Sequence, residues 1–167
     1  MSRNDENAVT CSHEQESDIL QQFFSRPLFL SITIGIPFCL FKLLFGITLI
    51  RALIDMPSPF SSAGWIVTAW ALTDLIMNIG REVFDILGRP APFEYCTIAQ
   101  AGRLFQMPMV FLAIDTLLTF TIICVMLWSG WIATLTTFES YLWYGATTLN
   151  LISLSLVALY NEIRSIP

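Results

Sequence analysis

The chain has 167 residues, of which 55% are hydrophobic and only 13% charged, with a formal net charge of −5 at pH 7 and a positive mean hydropathy. A soluble domain carries about a quarter of its residues as charged side chains, so these values exclude an ordinary water-soluble fold and point to a chain made for an apolar solvent. The length leaves room for four membrane spans with short connections and for no separate globular domain.

Residues 1–18 hold Asp5, Glu6, Glu14, Glu16 and Asp18 against Arg3 and His13, with little apolar content. Such a segment cannot bury enough surface to offset the entropy of ordering it, so 1–18 is expected to be a flexible acidic tail and 19–167 the four-span domain. Asp18 can cap a short helix beginning at Ile19, whose apolar residues would lie at the membrane surface before span one. The acidic tail and the lack of a small-residue cleavage site predict that span one stays as an uncleaved anchor.

Apolar runs of about 20 residues place the spans near 28–50, 65–80, 107–128 and 138–160. The expected fold is therefore all-α: an integral membrane four-helix bundle. Pro37 falls inside span one, where it removes one backbone donor and should kink the helix. Gly88 and Pro90 read as the stop of helix two, which makes that helix longer than its span. In the connection between Arg81 and Gln106, Pro92 suits a helix start, and Phe93, Cys96, Ala99 and Leu104 could share one face of a helix docked under the bundle or laid on the membrane.

Cationic residues orient the bundle. Arg3, Arg26, Arg81, Arg89, Arg103 and Arg164 fall on one side of the spans and Arg51 alone on the other, which predicts both termini and the connection between spans two and three in the cytoplasm. Trp65, Trp128, Trp131, Tyr141, Trp143 and Tyr144 then lie near the outer interface, where amphipathic rings prefer to sit. The expected location is a cell (inner) membrane.

Lys42, Asp74 and Asp115 are ionisable side chains inside three different spans. Each costs roughly 2.5 to 3.5 kcal/mol at a helix centre, so they are expected to face the protein interior and satisfy one another. Gly35, Cys39, Lys42 and Gly46 recur at helical spacing, which puts the lysine on a face of small residues where a neighbouring helix can approach. Asn78 stands one turn from Asp74, Thr119 one turn from Asp115, and Asn150 faces inward with Thr147 and Ser153, so the expected intramembrane network is Lys42, Asp74, Asn78, Asp115, Thr119 and Asn150. At about 1.5 Å per residue, Asp74, Asp115 and Asn150 lie roughly 12 to 15 Å from the cytoplasmic end of their spans. Lys42 lies nearer 21 Å, but its four-carbon stem can lean toward the carboxylates. Two aspartates and one lysine leave a formal charge of minus one, and a proton shared between the carboxylates is a natural expectation.

Other chemistry has little support. Cys11, Cys39, Cys96 and Cys124 form no Cys-x-x-Cys pair, Cys39 and Cys124 lie at different depths, and His13 in the tail is the sole histidine, so paired-thiol redox chemistry and bis-histidine haem lack their residues. No phosphate loop, serine elbow or His-Glu-x-x-His helix is present, and Glu139 and Asp55 stand isolated in the outer loops. No catalytic or metal-binding residue is assigned, and the cofactor is unknown.

Ser25-Arg26 before span one, Lys42 within it and Leu72-Thr73-Asp74 in span two are similar to the uncharacterised four-span YqhA-like bacterial proteins. The chain has Gly80-Arg81-Glu82-Val83 where that family carries Gly-Tyr-Glu-Asn, and its third span lacks that family's histidine, so no role is carried over. The expected function is that of a multi-pass, non-catalytic subunit or regulator of a membrane complex. The alternative is a small oligomeric proton- or ion-coupled transporter or channel. Expected partners are the lipid bilayer and other membrane subunits or further copies of the chain, with no nucleic acid.

Overall fold

The structure, a computed structural model, describes residues 31–53 and 59–165. The acidic tail, the short helix from Ile19, Cys11, His13, Arg26 and Asp55 lie outside the described residues. Among the described residues every regular element is helical. The first begins as a π turn, Ser31–Gly35, and continues as an α-helix, Ile36–Leu53; together they form α1. Then come α2 (Pro59–Ile86), α3 (Thr97–Leu104), α4 (Pro108–Trp128), a 3₁₀ turn (Trp131–Thr134) and α5 (Thr137–Ser165).

Four of these helices are long and apolar enough to cross a membrane, over Ser31–Leu53, Ser62–Ile86, Pro108–Trp128 and Thr137–Leu159. This is the architecture of a multi-pass integral membrane protein. The helix ends follow local chemistry. Pro37 has no N–H to offer the carbonyl of Thr33, and the helix widens into the π turn just before it. At the end of α2, Gly88 takes φ +65°, its N–H bonds Asp85 O at 2.9 Å, and Arg89 N–H bonds Phe84 O at 3.0 Å. That paired closure with glycine in the left-handed region is a Schellman stop.

The connection that follows departs from expectation at its start. The helix does not begin at Pro92: the chain stays irregular to Cys96, whose Sγ accepts the Ala99 N–H and caps α3. A cap satisfies the orphan donors of a helix start, whereas a proline at the first position only tolerates their absence. Cys96, Ala99 and Gly102 form the buried face of α3, while Leu104 is 85% exposed, because a helix carries position 104 round to the other side. Arg81 knits the connection to α2: it donates to Phe93 O at 3.0 Å, pairs with Glu94 at 3.3 Å and lies over the Tyr95 ring.

The bundle is built around α1. In the most apolar window of each span, 44% of residues are buried in α1, against 22%, 17% and 22% in α2, α4 and α5. Phe38, Phe41 and Leu44 of α1 form the core with Met126 of α4 and Trp143 and Ala146 of α5, and the Phe41 and Trp143 rings meet edge to face at 4.9 Å. On its other side α1 presses against α2 through backbone. A methyl group on Gly46 would lie 2.9 Å from Thr68 N and 3.2 Å from Gly64 O, so only glycine allows this approach. The apolar residues left exposed, among them Ile66, Ile76, Leu117, Leu118, Leu151 and Ile152, form the outer faces of α2, α4 and α5.

Candidate functional site

The close seam between α1 and α2 brings Lys42 beside Asp74, and α4 supplies Asp115. Lys42 Nζ donates to Asp74 Oδ2 at 2.8 Å and to Asp115 Oδ1 and Oδ2 at 2.6 and 2.8 Å. The side chains of Lys42 and Asp74 are 1% and 0% exposed. The ammonium also lies 4.3 Å from the centroid of the Trp70 ring, close enough for a cation–π contribution on the side the carboxylates leave open.

A fourth element closes the cluster. Asp74 Oδ1 accepts the backbone N–H of Thr97 at 2.7 Å and its hydroxyl at 2.8 Å. Thr97 is the first residue of α3, so the carboxylate sits at the positive end of a helix dipole and takes one of its orphan donors. Sequence reasoning missed Thr97, and a threonine in a connection carries no signal that it will meet a span. It also missed Trp70 and Cys96. The Cys96 thiol is buried. Burial, then the nearby Asp115 carboxylate, pushes this thiol up to about 12, so it keeps its proton at neutral pH.

The other expected members sit around the cluster without entering it. Asn78 Nδ2 donates to the backbone oxygen of Asp74 at 3.2 Å and to Cys39 Sγ at 3.5 Å, and Asn78 Oδ1 accepts from Ser31 at 3.4 Å. Asn78 therefore bonds neither carboxylate, because its side chain turns back along its own helix. Thr119 is fully buried and donates to Asp115 O at 2.8 Å, the usual back-bond of a helical threonine. Asn150 is buried on α5, but among the described residues its Oδ1 has no partner and no hydrogen bond ties it to the cluster. Glu82, two turns beyond Asp74 on the same face of α2, is 8% exposed, and among the described residues neither of its carboxylate oxygens has a partner.

A second ion pair lies at the far end of α1. Arg51 grips Glu139 with both terminal nitrogens, Nη1 donating to Oε2 at 2.8 Å and Nη2 to Oε1. Glu139 is thus no isolated loop acid. It belongs to the first turn of α5, where its carboxylate accepts Thr136 N–H at 2.9 Å while Thr136 Oγ1 accepts Glu139 N–H at 3.4 Å. This is a capping box, and Thr136-x-x-Glu139 was its legible signal.

A cavity of about 360 Å³ opens beside the lysine–aspartate cluster, between α1, α4 and the connection before α3. Lys42, Asp115, Asn78, Ser31, Tyr95, Thr116, Cys39 and Cys96 are its polar lining; Ile34, Phe38, Met109 and Leu112 are apolar. Cys39, Cys96 and Cys124 are free thiols. Among the described residues no group of three or more His, Cys, Asp or Glu side chains is placed to hold a metal ion. Compared with known proteins, the chain matches no family model, no curated protein and no solved structure.

Proposed function

We propose that this chain is a non-catalytic subunit or regulator of a larger membrane assembly, with both termini and the connection around α3 on the cytoplasmic side. In this proposal Lys42, Asp74 and Asp115 form the joint that holds its shape. One observation supports it above others: the cluster is satisfied from within. The ammonium makes three hydrogen-bond contacts, all with two carboxylates, and the second oxygen of Asp74 is taken by the start of α3. A carboxylate held by two or more donors is a poor general base and a good structural tie. Arg81, Arg89 and Arg103 around the α3 connection support the orientation through the positive-inside rule.

Gentle solubilisation followed by particle mass and identification of co-purifying chains tests the subunit role. Foreign chains in fixed ratio are expected, and a pure homo-oligomer would overturn it. Replacing Lys42, Asp74 and Asp115 together by apolar residues of similar volume tests the joint. That variant should regain much of the stability lost by removing the lysine alone, and it should keep its partners.

A second proposal, proton- or ion-coupled transport by an oligomer, draws on Glu82. A buried carboxylate with no partner among the described residues, in register with Asn78 and Asp74 on α2, is what a relay toward the helix end requires. In liposomes carrying a pH-sensitive dye, transport would appear as proton flux that Glu82→Gln and Asp115→Asn abolish.

A further inference from the structure

We infer that the cavity beside the ion cluster is a binding site for a hydrophobic amine, a compact apolar body carrying one protonated nitrogen. The inference goes beyond the proposed function and does not rest on it. The form is that of a small-molecule site: about 360 Å³, walled by Ile34, Phe38, Leu112 and Met109, with Lys42 and Asp115 at its floor.

The charge of the floor, one lysine against two aspartates, decides the sign of the guest. All three contacts of Lys42 Nζ go to Asp74 and Asp115, so its charge is directed at the two carboxylates. The Asn78 amide group is turned to Asp74 O and Cys39 Sγ. On the wall the Ser31 hydroxyl donates to Asn78 Oδ1 at 3.4 Å and the Thr116 hydroxyl to Leu112 O at 3.0 Å, and the Tyr95 hydroxyl can donate or accept. Acceptor capacity remains, because a carboxylate offers about four lone-pair sites and Lys42 makes one contact with each oxygen of Asp115. The cluster also carries a formal charge of minus one, with Cys96 neutral. A cationic donor completes this balance, a neutral alcohol supplies only the hydrogen bond, and an anion worsens it.

Entry geometry agrees. Met109, the second residue of α4, is 77% exposed and stands at the rim, while Asp115 lies six residues further along the same helix. At about 1.5 Å per residue the floor is roughly 9 Å below the rim. The guest therefore enters nitrogen first and leaves its apolar body between α1 and α4.

The test uses the full chain in nanodiscs of zwitterionic phosphatidylcholine, with radiolabelled phenylbutylamine as probe and phenylbutanol and phenylbutanoate as competitors at neutral pH. Saturable binding of the amine is expected, with the alcohol competing about tenfold more weakly, since a charge-assisted bond is roughly twice as strong as a neutral one. The carboxylate should not compete. Thr116→Trp, which fills the cavity from its wall, should abolish saturable binding, and Asp115→Asn should bring the affinity for the amine down to that for the alcohol. Unfolding midpoints of both variants establish that they are folded; should either fail, the competition series on the unaltered chain decides. Uptake no greater than in protein-free nanodiscs would overturn the proposal. So would competition by phenylbutanoate equal to that by the amine, which would assign the floor to an anion, or undiminished binding by folded Thr116→Trp.

Discussion

Helix α1 carries two charged joints nine residues apart, and they solve the same problem in opposite ways. Lys42 is 1% exposed, and its charge is shared by carboxylates from two other spans. Arg51 is 48% exposed and meets the single carboxylate of Glu139, which a capping box already holds in place. Removing one partner from a dry cluster leaves uncompensated charge, whereas an exposed cation that loses its partner keeps its solvation. The planar guanidinium suits the two-pronged grip at the rim; the compact ammonium suits a point shared by several acceptors. The comparison teaches that position along one helix decides whether an ion pair is structural necessity or modest reinforcement.

The largest expected effect is at the dry joint. Lys42→Met should cost about 3 to 5 kcal/mol, read as a fall in the unfolding midpoint of the purified protein, and Arg51→Met about 1 kcal/mol or less. Equal losses at the two sites would break the comparison. Next comes Thr97→Val, which removes the hydroxyl bonded to Asp74 but keeps the N–H; a loss of about 1 to 3 kcal/mol is expected, concentrated in faster hydrogen exchange across α3.

Gly46→Ala, between the two joints, should cost roughly 1 to 3 kcal/mol by overpacking the α1–α2 seam. Gly145→Ala has open space around it and should instead stabilise by about 0.5 to 1 kcal/mol. The smallest effect concerns pH. Cys96 has its thiol raised from 9.0 to about 12 in the folded chain. Its contribution is therefore fully present below pH 9.0 and fades as pH rises toward about 12, because the unfolded chain releases that proton first. Cys96→Ser keeps a side-chain cap and should flatten the stability profile in that window.

The spans were legible because apolar run length is a nearly sufficient signal for a membrane helix, and the third, Pro108–Trp128, lies within one residue of the expected 107–128. Lys42, Asp74 and Asp115 were legible as a set because ionisable residues in apolar runs have few other places to go. The estimated depths left the lysine high above the carboxylates; the meeting depends on the glycine seam and on the lysine stem, neither of which depth counting measures. Thr97 was invisible because its value comes wholly from where the connection folds back. Pro92 misled because a residue that tolerates a helix start does not create one, and Asn150 because facing inward does not supply a partner.

The central place of α1 has a consequence for biosynthesis. The helix that becomes the middle of the bundle is the first of the four spans to leave the ribosome, and it carries a lysine whose second carboxylate lies 73 residues downstream. At synthesis rates of about 5 to 20 residues per second, α1 waits roughly 4 to 15 seconds for Asp115. During that interval its charge is held by the insertion machinery, by the membrane surface or by Asp74 alone. A chain that stalls before α4 therefore holds its lysine with one carboxylate, where the finished bundle holds it with two.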